Sequence, residues 1–201
     1  MTTEVRRAGR ATPMTPDARR EAIVVATVPL LIEHGRAVTT RQIAQAAGIA
    51  EGTIFRVFAS KDELVDEAIL RAFRPGPLLA GLQAVDRDQP LRERLVDMVT
   101  VMQARFTEVF GLMRAVGLVA PPQVDSDEPG NWRDRARDTM LEIVGDAPLR
   151  VTPEELVHLI RLLTFSGSHA EMADGWLLTP EQIVDVVLTG TLVTSERETP
   201  C

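Results

Sequence analysis

No stretch of this 201-residue chain limits its possible folds as much as residues 39–61, Thr-Thr-Arg-Gln-Ile-Ala-Gln-Ala-Ala-Gly-Ile-Ala-Glu-Gly-Thr-Ile-Phe-Arg-Val-Phe-Ala-Ser-Lys. The pattern predicts two short helices joined by a tight turn. Thr39 can cap the first, with Gln42 three residues on to complete a capping box. Ile43, Ala44 and Ala47 fall on one helical face, and Ala44 is small enough for a second helix to cross closely. Gly48 stands where the chain must turn, a position that favours positive φ, and Ile49 plugs the turn. Ile54 and Phe58, four apart, give the second helix an inward face. Glu51, Gly52, Thr53, Phe55 and Arg56 are left pointing outward from a short, stiff helix. A helix-turn-helix of this kind presents the surface that a DNA major groove admits.

A net charge of −7 is at odds with a polyanionic partner until it is divided along the chain. Residues 1–60 hold eight Arg against five Asp and Glu, a balance of +3. Residues 61–201 hold the other fourteen basic residues against twenty-four acids, a balance of −10. Phosphate binding is local, so the basic N-terminal portion suits nucleic acid, while the acidic remainder stays off the duplex and aids solubility. Apolar residues at 45% supply a core, and with 25% charged residues the chain has the composition of an ordinary soluble protein. The longest apolar run, 22–32, is broken by Thr27 and Pro29 and is too short to span a bilayer. The first twenty residues hold five arginines and no apolar block, so no secretory signal is expected. Cys201 is the only cysteine, which excludes an internal disulfide and fits a reducing cytoplasm.

Outside the central stretch the pattern predicts an all-α chain of about nine helices. Residues 1–14, with Arg6, Arg7 and Arg10, read either as a solvated tail or as a basic arm gripping phosphate or an adjacent minor groove. Thr15-Pro16-Asp17 starts a helix to about His34, with Ile23, Ala26, Leu30 and Ile32 or Glu33 as its core stripe. Gly35 stops it, and Pro29 inside it removes a hydrogen bond and bends the axis. Ser60 and Glu63 form a second capping box, opening a helix through about Phe73 with Leu64, Ala68 and Ile69 inward. The run 74–77, Arg-Pro-Gly-Pro, breaks it. A short helix from Leu78 to about Val85 precedes a long one with Leu91, Leu95, Met98, Met102, Phe106, Val109 or Phe110, and Met113 at 3–4 spacing. Residues 120–130 read as an exposed loop, and Asn131 caps a helix to about Val144 with Trp132, Ala136, Met140 and Ile143 inward. Capping boxes at Thr152–Glu155 and Thr179–Gln182 open the last two helices, to about Met172 and Val193. Both are apolar over so much of their circumference that each is expected to be buried on more than one side. Ser166, Gly167, Ala170 and Gly190 are small enough to allow close helix approach.

Residues 52–64, Gly-Thr-Ile-Phe-Arg-Val-Phe-Ala-Ser-Lys-Asp-Glu-Leu, together with 39–49 before them, resemble the signature of the TetR family of bacterial transcription regulators. The resemblance is specific over about residues 17–70; beyond them only length and helical layout agree. It implies an arm at 1–14, a helix-turn-helix DNA-binding domain at 15–60, a connecting helix at 61–74 and a ligand-binding and dimerisation domain at 75–201. It further implies a cytoplasmic homodimer on a palindromic operator in double-stranded DNA, most often a repressor, released by a small hydrophobic effector. No cofactor, metal, membrane or enzymatic role comes with it. On the matching positions Thr53, Phe55 and Arg56 face DNA, beside Gly52. Thr39, Thr40, Arg41 and Lys61 touch its backbone, which fixes register more than sequence. Phe55 stands where the family usually has Tyr, Val57 where it often has His, Ala50 where a Ser cap is usual and Glu51 where Lys is common. Glu51 suits a helix N-terminus but repels phosphate, so it either accepts from a cytosine amine or caps its helix.

By the same resemblance the last two helices pair with their copies in a second subunit. Leu159, Leu162, Leu163, Ser166, Gly167, Ile183, Val186, Val187 and Gly190 are the expected interface, although a large monomer core would have a similar composition. Met98, Met102, Phe106, Phe110, Met113, Trp132, Met140, Phe165 and His169, with Trp176 nearby, offer a pliable lining for an apolar effector. They are equally what a solid core uses. Arg105 and Arg161 interrupt apolar stretches, as carboxylate anchors or as surface ion-pair partners. The Glu155-Leu-Val-His158 spacing matches one arm of a di-iron bundle, which needs two such pairs and two more glutamates. His169, Glu171 and Ser166 or Ser168 come without a nucleophile elbow. The competing class is an all-α small-molecule-binding protein or enzyme that has lost DNA recognition, prompted by the missing Tyr, His, Ser and Lys.

Overall fold

The computed structural model of the protein describes residues 15–123 and 131–191. The arm expected at 1–14 and most of the loop at 120–130 lie outside them. The helices are α1 Pro16–His34, α2 Thr40–Ala47, α3 Glu51–Ile54, α4 Lys61–Ala72, α5 Gly76–Gln83, α6 Leu91–Val116, α7 Trp132–Val144, α8 Pro153–Gly167 and α9 Pro180–Thr191, with a 3-10 turn Gly35–Ala37 after α1. No strand occurs among the described residues, so the fold is all-α. None of the described helices is long and apolar enough to cross a membrane. The chain divides after Arg71 into two compact units.

In the first unit, the Thr15 hydroxyl caps α1 by accepting from the Ala18 N–H at 3.2 Å, with Pro16 in the first turn. The buried stripe of α1 is Ile23, Val24, Thr27 and Leu31. This corrects the expected stripe: Ala26 and Leu30 are only half-buried, and Ile32 is 44% exposed. Choosing apolar residues alone missed Thr27. Its hydroxyl can be fully buried because it donates to the Ile23 carbonyl at 2.8 Å, leaving no unsatisfied polar atom. The helix runs on through Pro29, which sits at an exposed position.

The turn between α2 and α3 forms as the sequence dictates. Thr39 and Gln42 make the reciprocal capping box at the start of α2. Gly48 adopts φ 66° and ψ 33°. Its N–H donates to Gln45 O at 3.2 Å and that of Ile49 to Ala44 O at 3.0 Å, the paired closure that satisfies carbonyls at a helix end. The second helix is a single α turn, extended by tighter bonds from Arg56 N–H to Thr53 O and Val57 N–H to Ile54 O. Ile54 and Phe58 are fully buried, as are Ile43 and Ala44 of α2. Each large apolar side chain so buried stabilises the unit by about 1.5–3 kcal/mol. At the start of α4, Ser60 Oγ accepts from Glu63 N–H at 3.1 Å, but the Glu63 carboxylate reaches one residue further back than expected, to Ala59 N–H at 2.7 Å.

The second unit is built on α6. Leu95, Met98, Val99 and Met102 of α6 meet Met140 and Ile143 of α7, Leu156 and Ile160 of α8, and Ile183 and Val184 of α9 in one apolar core. Arg92 on α6 forks onto Asp185 of α9 at 2.8 and 3.0 Å. Helix α8 stops at Gly167, short of the expected Met172. The chain turns back there, with Leu178 N–H bonded to Gly167 O at 3.1 Å and the Leu178 side chain 3.1 Å from where a Gly167 Cβ would stand. Gly167 is therefore buried by its own chain.

Gly48 has open space around an added Cβ, so conformation alone sets the cost of changing it. Gly48→Ala is expected to destabilise the first unit by about 1 kcal/mol, and Gly48→Asn by less. Urea titration of the variants against the parent checks both values and their order.

Candidate nucleic-acid interface

The α3 surface is held in place by one side chain that the sequence pattern did not single out. Arg20 of α1 stacks its guanidinium over the Phe58 ring, 4.2 Å from the centroid. Nη1 donates to Val57 O at 2.8 Å, at the end of the recognition turn. Nη2 donates to Glu63 Oε1 at 2.8 Å, Nε donates to Glu67 at 3.0 Å, and a further short bond joins Nη2 to Glu67. One planar fork thus ties α1, the turn after α3, and α4 together, a geometry that a lysine cannot reproduce. The hydrogen bond from Arg20 holds the Glu63 carboxyl below its ordinary range, and the two carboxylates push Arg20 further up. A signal was present: Arg20, Val24, Thr27 and Leu31 share one face of α1, making Arg20 the charged member of the buried stripe. Glu63 and Glu67 are the acid pair four apart on α4.

Several other basic side chains of this unit are also occupied. Arg36 pairs with Asp66 at 2.9 Å and Arg71 with Glu21 at 2.6 Å. Lys61 Nζ sits between Arg36 O and Val38 O at 3.0 and 3.1 Å, capping the 3-10 turn. Its expected place on a DNA backbone leaves it one free donor. Arg19, Arg41 and Arg56 differ: all three are exposed, and none of their guanidiniums has an ion pair or hydrogen bond among the described residues. Glu51 and Gly52 are exposed, Phe55 is 55% exposed, and Thr53 is half-buried. Thr39 is engaged in its capping box, and the Thr40 hydroxyl donates to Glu51 Oε1. Glu51 caps nothing through its side chain, since α3 has no side-chain cap and its N-cap residue is Ala50.

Bacterial regulatory proteins of the tetR family match this region, over residues 23–68. The family match is thus to residues 23–68, the part of the chain that holds α2, α3 and most of α4. It is 43% identical over 58 residues to the HTH-type transcriptional repressor KstR2 of Mycobacterium tuberculosis, covering 28% of each chain. To KstR2 of Mycolicibacterium smegmatis it is 36% identical over 63 residues, covering 31% of this chain and 30% of that one. The chain thus spans under a third of the length of the curated relatives it matches. In fold it is similar to the TetR transcriptional regulator SCO0520 of Streptomyces coelicolor, with a TM-score of 0.53 and 20% identity, covering 88% and 99% of the two chains. A second tetR-family regulator of Streptomyces coelicolor gives 0.55 at 21% identity, covering 86% and 78%. The TetR-family match thus falls on the Arg20-braced unit, and the fold likeness extends over most of the chain.

The second unit carries two apolar surface features. An open groove of about 560 Å³ runs between α8 and α9, lined by Leu159, Leu162, Leu163, Ser166, Val186, Val187 and Gly190 with Val151 and Thr191. Leu162 and Val186 are 54% and 65% exposed. Two residues expected on that face are elsewhere: Ile183 is in the core facing α6, and Gly167 lies under Leu178. Helix periodicity explains Ile183, which shares its buried face with Val184 and Val187.

The residues expected to line an effector site divide into two groups. Met98, Met102 and Met140 are buried in the core. Phe106, Phe110, Phe165 and His169 come together, with Phe165 edge-on to both Phe106 and Phe110 at 5.5 and 5.2 Å and His169 edge-on to Phe110 at 4.5 Å. The Nδ1 of His169 is buried with no hydrogen-bond partner. Met113 and Trp132 are half-buried, and Arg133 stacks on Trp132 at 4.5 Å. Trp176 is 77% exposed, beside a smaller groove that Met172 and Leu178 also line. Arg105 is an ion-pair partner, as one of its two readings expected, but a largely buried one: 10% exposed, it pairs with Glu108 at 3.0 Å and also donates to the carbonyls of Ala72 and Arg74.

Arg20→Ala is expected to destabilise the first unit by on the order of 1–2 kcal/mol, the value of charge-assisted bonds discounted for a side chain 35% exposed. Arg20→Lys should recover only part of it. Because the Glu63 carboxyl is held below its ordinary 4.5, its contribution is present above that pH and lost as pH falls through the lowered value. Acid titration of stability should therefore decline below about pH 4.5, and less steeply in Glu63→Gln.

Proposed function

We propose that the protein is a homodimeric transcription regulator that binds a palindromic DNA operator through α2 and α3 of two copies and is released by a small, largely apolar effector. The observation that carries the DNA reading is the pair of exposed, unpartnered guanidiniums, Arg41 and Arg56, on a helix-turn-helix braced from behind by Arg20. In that reading Arg56 reads a base edge or grips phosphate beside Thr53 and Phe55, and Arg41 grips phosphate at the start of α2. The 43% identity over 58 residues to an HTH-type transcriptional repressor, and the family match over residues 23–68, support it. Lys61 keeps one free donor for the backbone. The chain works in the cytoplasm, where its DNA is.

The dimer forms through the α8–α9 groove. A contiguous apolar face bearing Leu159, Leu162 and Val186 is costly to leave in water and marks an interaction surface. Two-fold pairing there suits two half-sites one helical turn apart or a multiple of it. The effector binds in the second unit against the aromatic group of Phe106, Phe110 and Phe165, with His169 Nδ1 free to meet a polar atom of it. It acts by binding one of two dimer states more tightly, the other being the one that fits both half-sites.

Binding of purified protein to its own upstream DNA, followed by fluorescence anisotropy at several salt concentrations, tests the DNA reading. Salt-sensitive binding is expected, weakened about 10- to 100-fold in Arg56→Ala. Absence of binding at low salt, or an Arg56→Ala protein equal to the parent, would sink it. Leu162→Arg combined with Val186→Arg is expected to give a folded monomer by light scattering; an unchanged dimer would move the interface elsewhere.

A further inference from the structure

We propose that Glu51 reads one cytosine in each operator half-site and that Thr40 is the residue that positions it. The proposal rests on the DNA-binding reading above and goes beyond it by assigning a base to a side chain. Glu51 is the one carboxylate on the outward face of α3, exposed at its first position and next to Gly52, which adds no side chain. Its Oε1 accepts from the Thr40 hydroxyl at the start of α2. Among the described residues no group donates to Oε2. The carboxylate is thus fixed at one oxygen and open at the other.

Two consequences follow from the chemistry of these groups. Thr40 has a single hydroxyl proton, and with that proton on Glu51 it has none left for a phosphate oxygen. Thr40 therefore acts on DNA through Glu51. A carboxylate brought among phosphates is repelled and stripped of water, so it belongs in a complex only where it meets a donor. On the major-groove edge the donors are cytosine N4 and adenine N6, whereas guanine and thymine show acceptors. Adenine sets its N7 acceptor beside N6, against the second oxygen of a carboxylate. Cytosine shows no ring acceptor there, so cytosine is the base Glu51 selects. The same carboxylate disfavours every site lacking that donor, so it contributes more to discrimination than to affinity.

Selection from a random-sequence duplex pool, followed by anisotropy on single-base variants of the selected site, tests the proposal, with circular dichroism melts to show that each variant is folded. The parent is expected to select cytosine at one fixed position per half-site, with a penalty of about ten-fold or more for replacing it. Glu51→Ala should lose the preference at that position alone. Glu51→Gln, whose amide can pair with both N6 and N7 on the major-groove edge of adenine, should move it from cytosine to adenine. Thr40→Val, which keeps shape but not the hydroxyl, should weaken the same preference, and Thr40→Ser should restore it. A cytosine preference unchanged in Glu51→Ala, or a Thr40→Val protein that loses affinity equally for all sequences, overturns the proposal while leaving the regulator reading intact. A parent protein that selects no sequence at all overturns both.

Discussion

The N-terminal unit depends on where the Arg20 guanidinium is satisfied. A charged fork placed on the inner stripe of α1 would be expensive if unpaired, and here every face of it has a partner: Phe58 beneath, Val57 O at one edge, Glu63 and Glu67 at the other. Because one of those partners is a backbone carbonyl at the end of the recognition turn, the same contacts that offset the charge also fix the direction of α3. That helix has one α turn of its own, too short to be stable by its internal bonds. Its orientation comes from Ile54 and Phe58 below and from Arg20 at its end.

This arrangement also sorts the charges of the unit. Arg20, Arg36 and Arg71 are committed to carboxylates and Lys61 to carbonyls, so they neutralise and cap the scaffold. Arg41 and Arg56 remain uncommitted on the exposed side, next to a single engaged acid, Glu51. A net excess of positive charge over residues 1–60 would say little if all of it were paired. Its value for binding a polyanion lies in which guanidiniums are left free, Arg41 and Arg56 of the helix-turn-helix among them. The second unit shows the corresponding division for apolar surface. On α8, Leu156 and Ile160 go into the core while Leu159 and Leu162 stay outside, so one helix has two apolar faces with different partners.

The chain order of helices, the capping boxes at Thr39, Thr152 and Thr179, and the left-handed Gly48 could be read directly, because each depends on residues within four positions of one another. Ile43, Ile54 and Phe58 were legible for the same reason. What escaped was set by distant partners. The stripe of α1 was misplaced by one residue because Thr27 and Arg20 belong to it, and only their bonds to Ile23 O and to α4 make polar groups acceptable there. The early end of α8 escaped because its apolar pattern continues while Leu178 folds back over Gly167. Among the site residues, the outward positions of α3 were legible, but the Thr40–Glu51 bond was not, since it spans eleven residues across the turn. The methionines of α6 and α7 gave a pattern common to cores and pockets, and only packing places Met98, Met102 and Met140 in the core.

If Arg20 orients the recognition turn without touching DNA itself, its loss must harm sequence reading more than charge attraction. The direct measurement compares Arg20→Gln with the parent, at a temperature where both are folded, for binding to a selected operator and to a scrambled duplex at the same salt. The expected result is a loss of ten-fold or more for the operator with scrambled binding within about two-fold, because the phosphate-facing charges are intact. Equal operator affinity, or an equal loss on both duplexes, would contradict the view that this one guanidinium sets the direction of the helix.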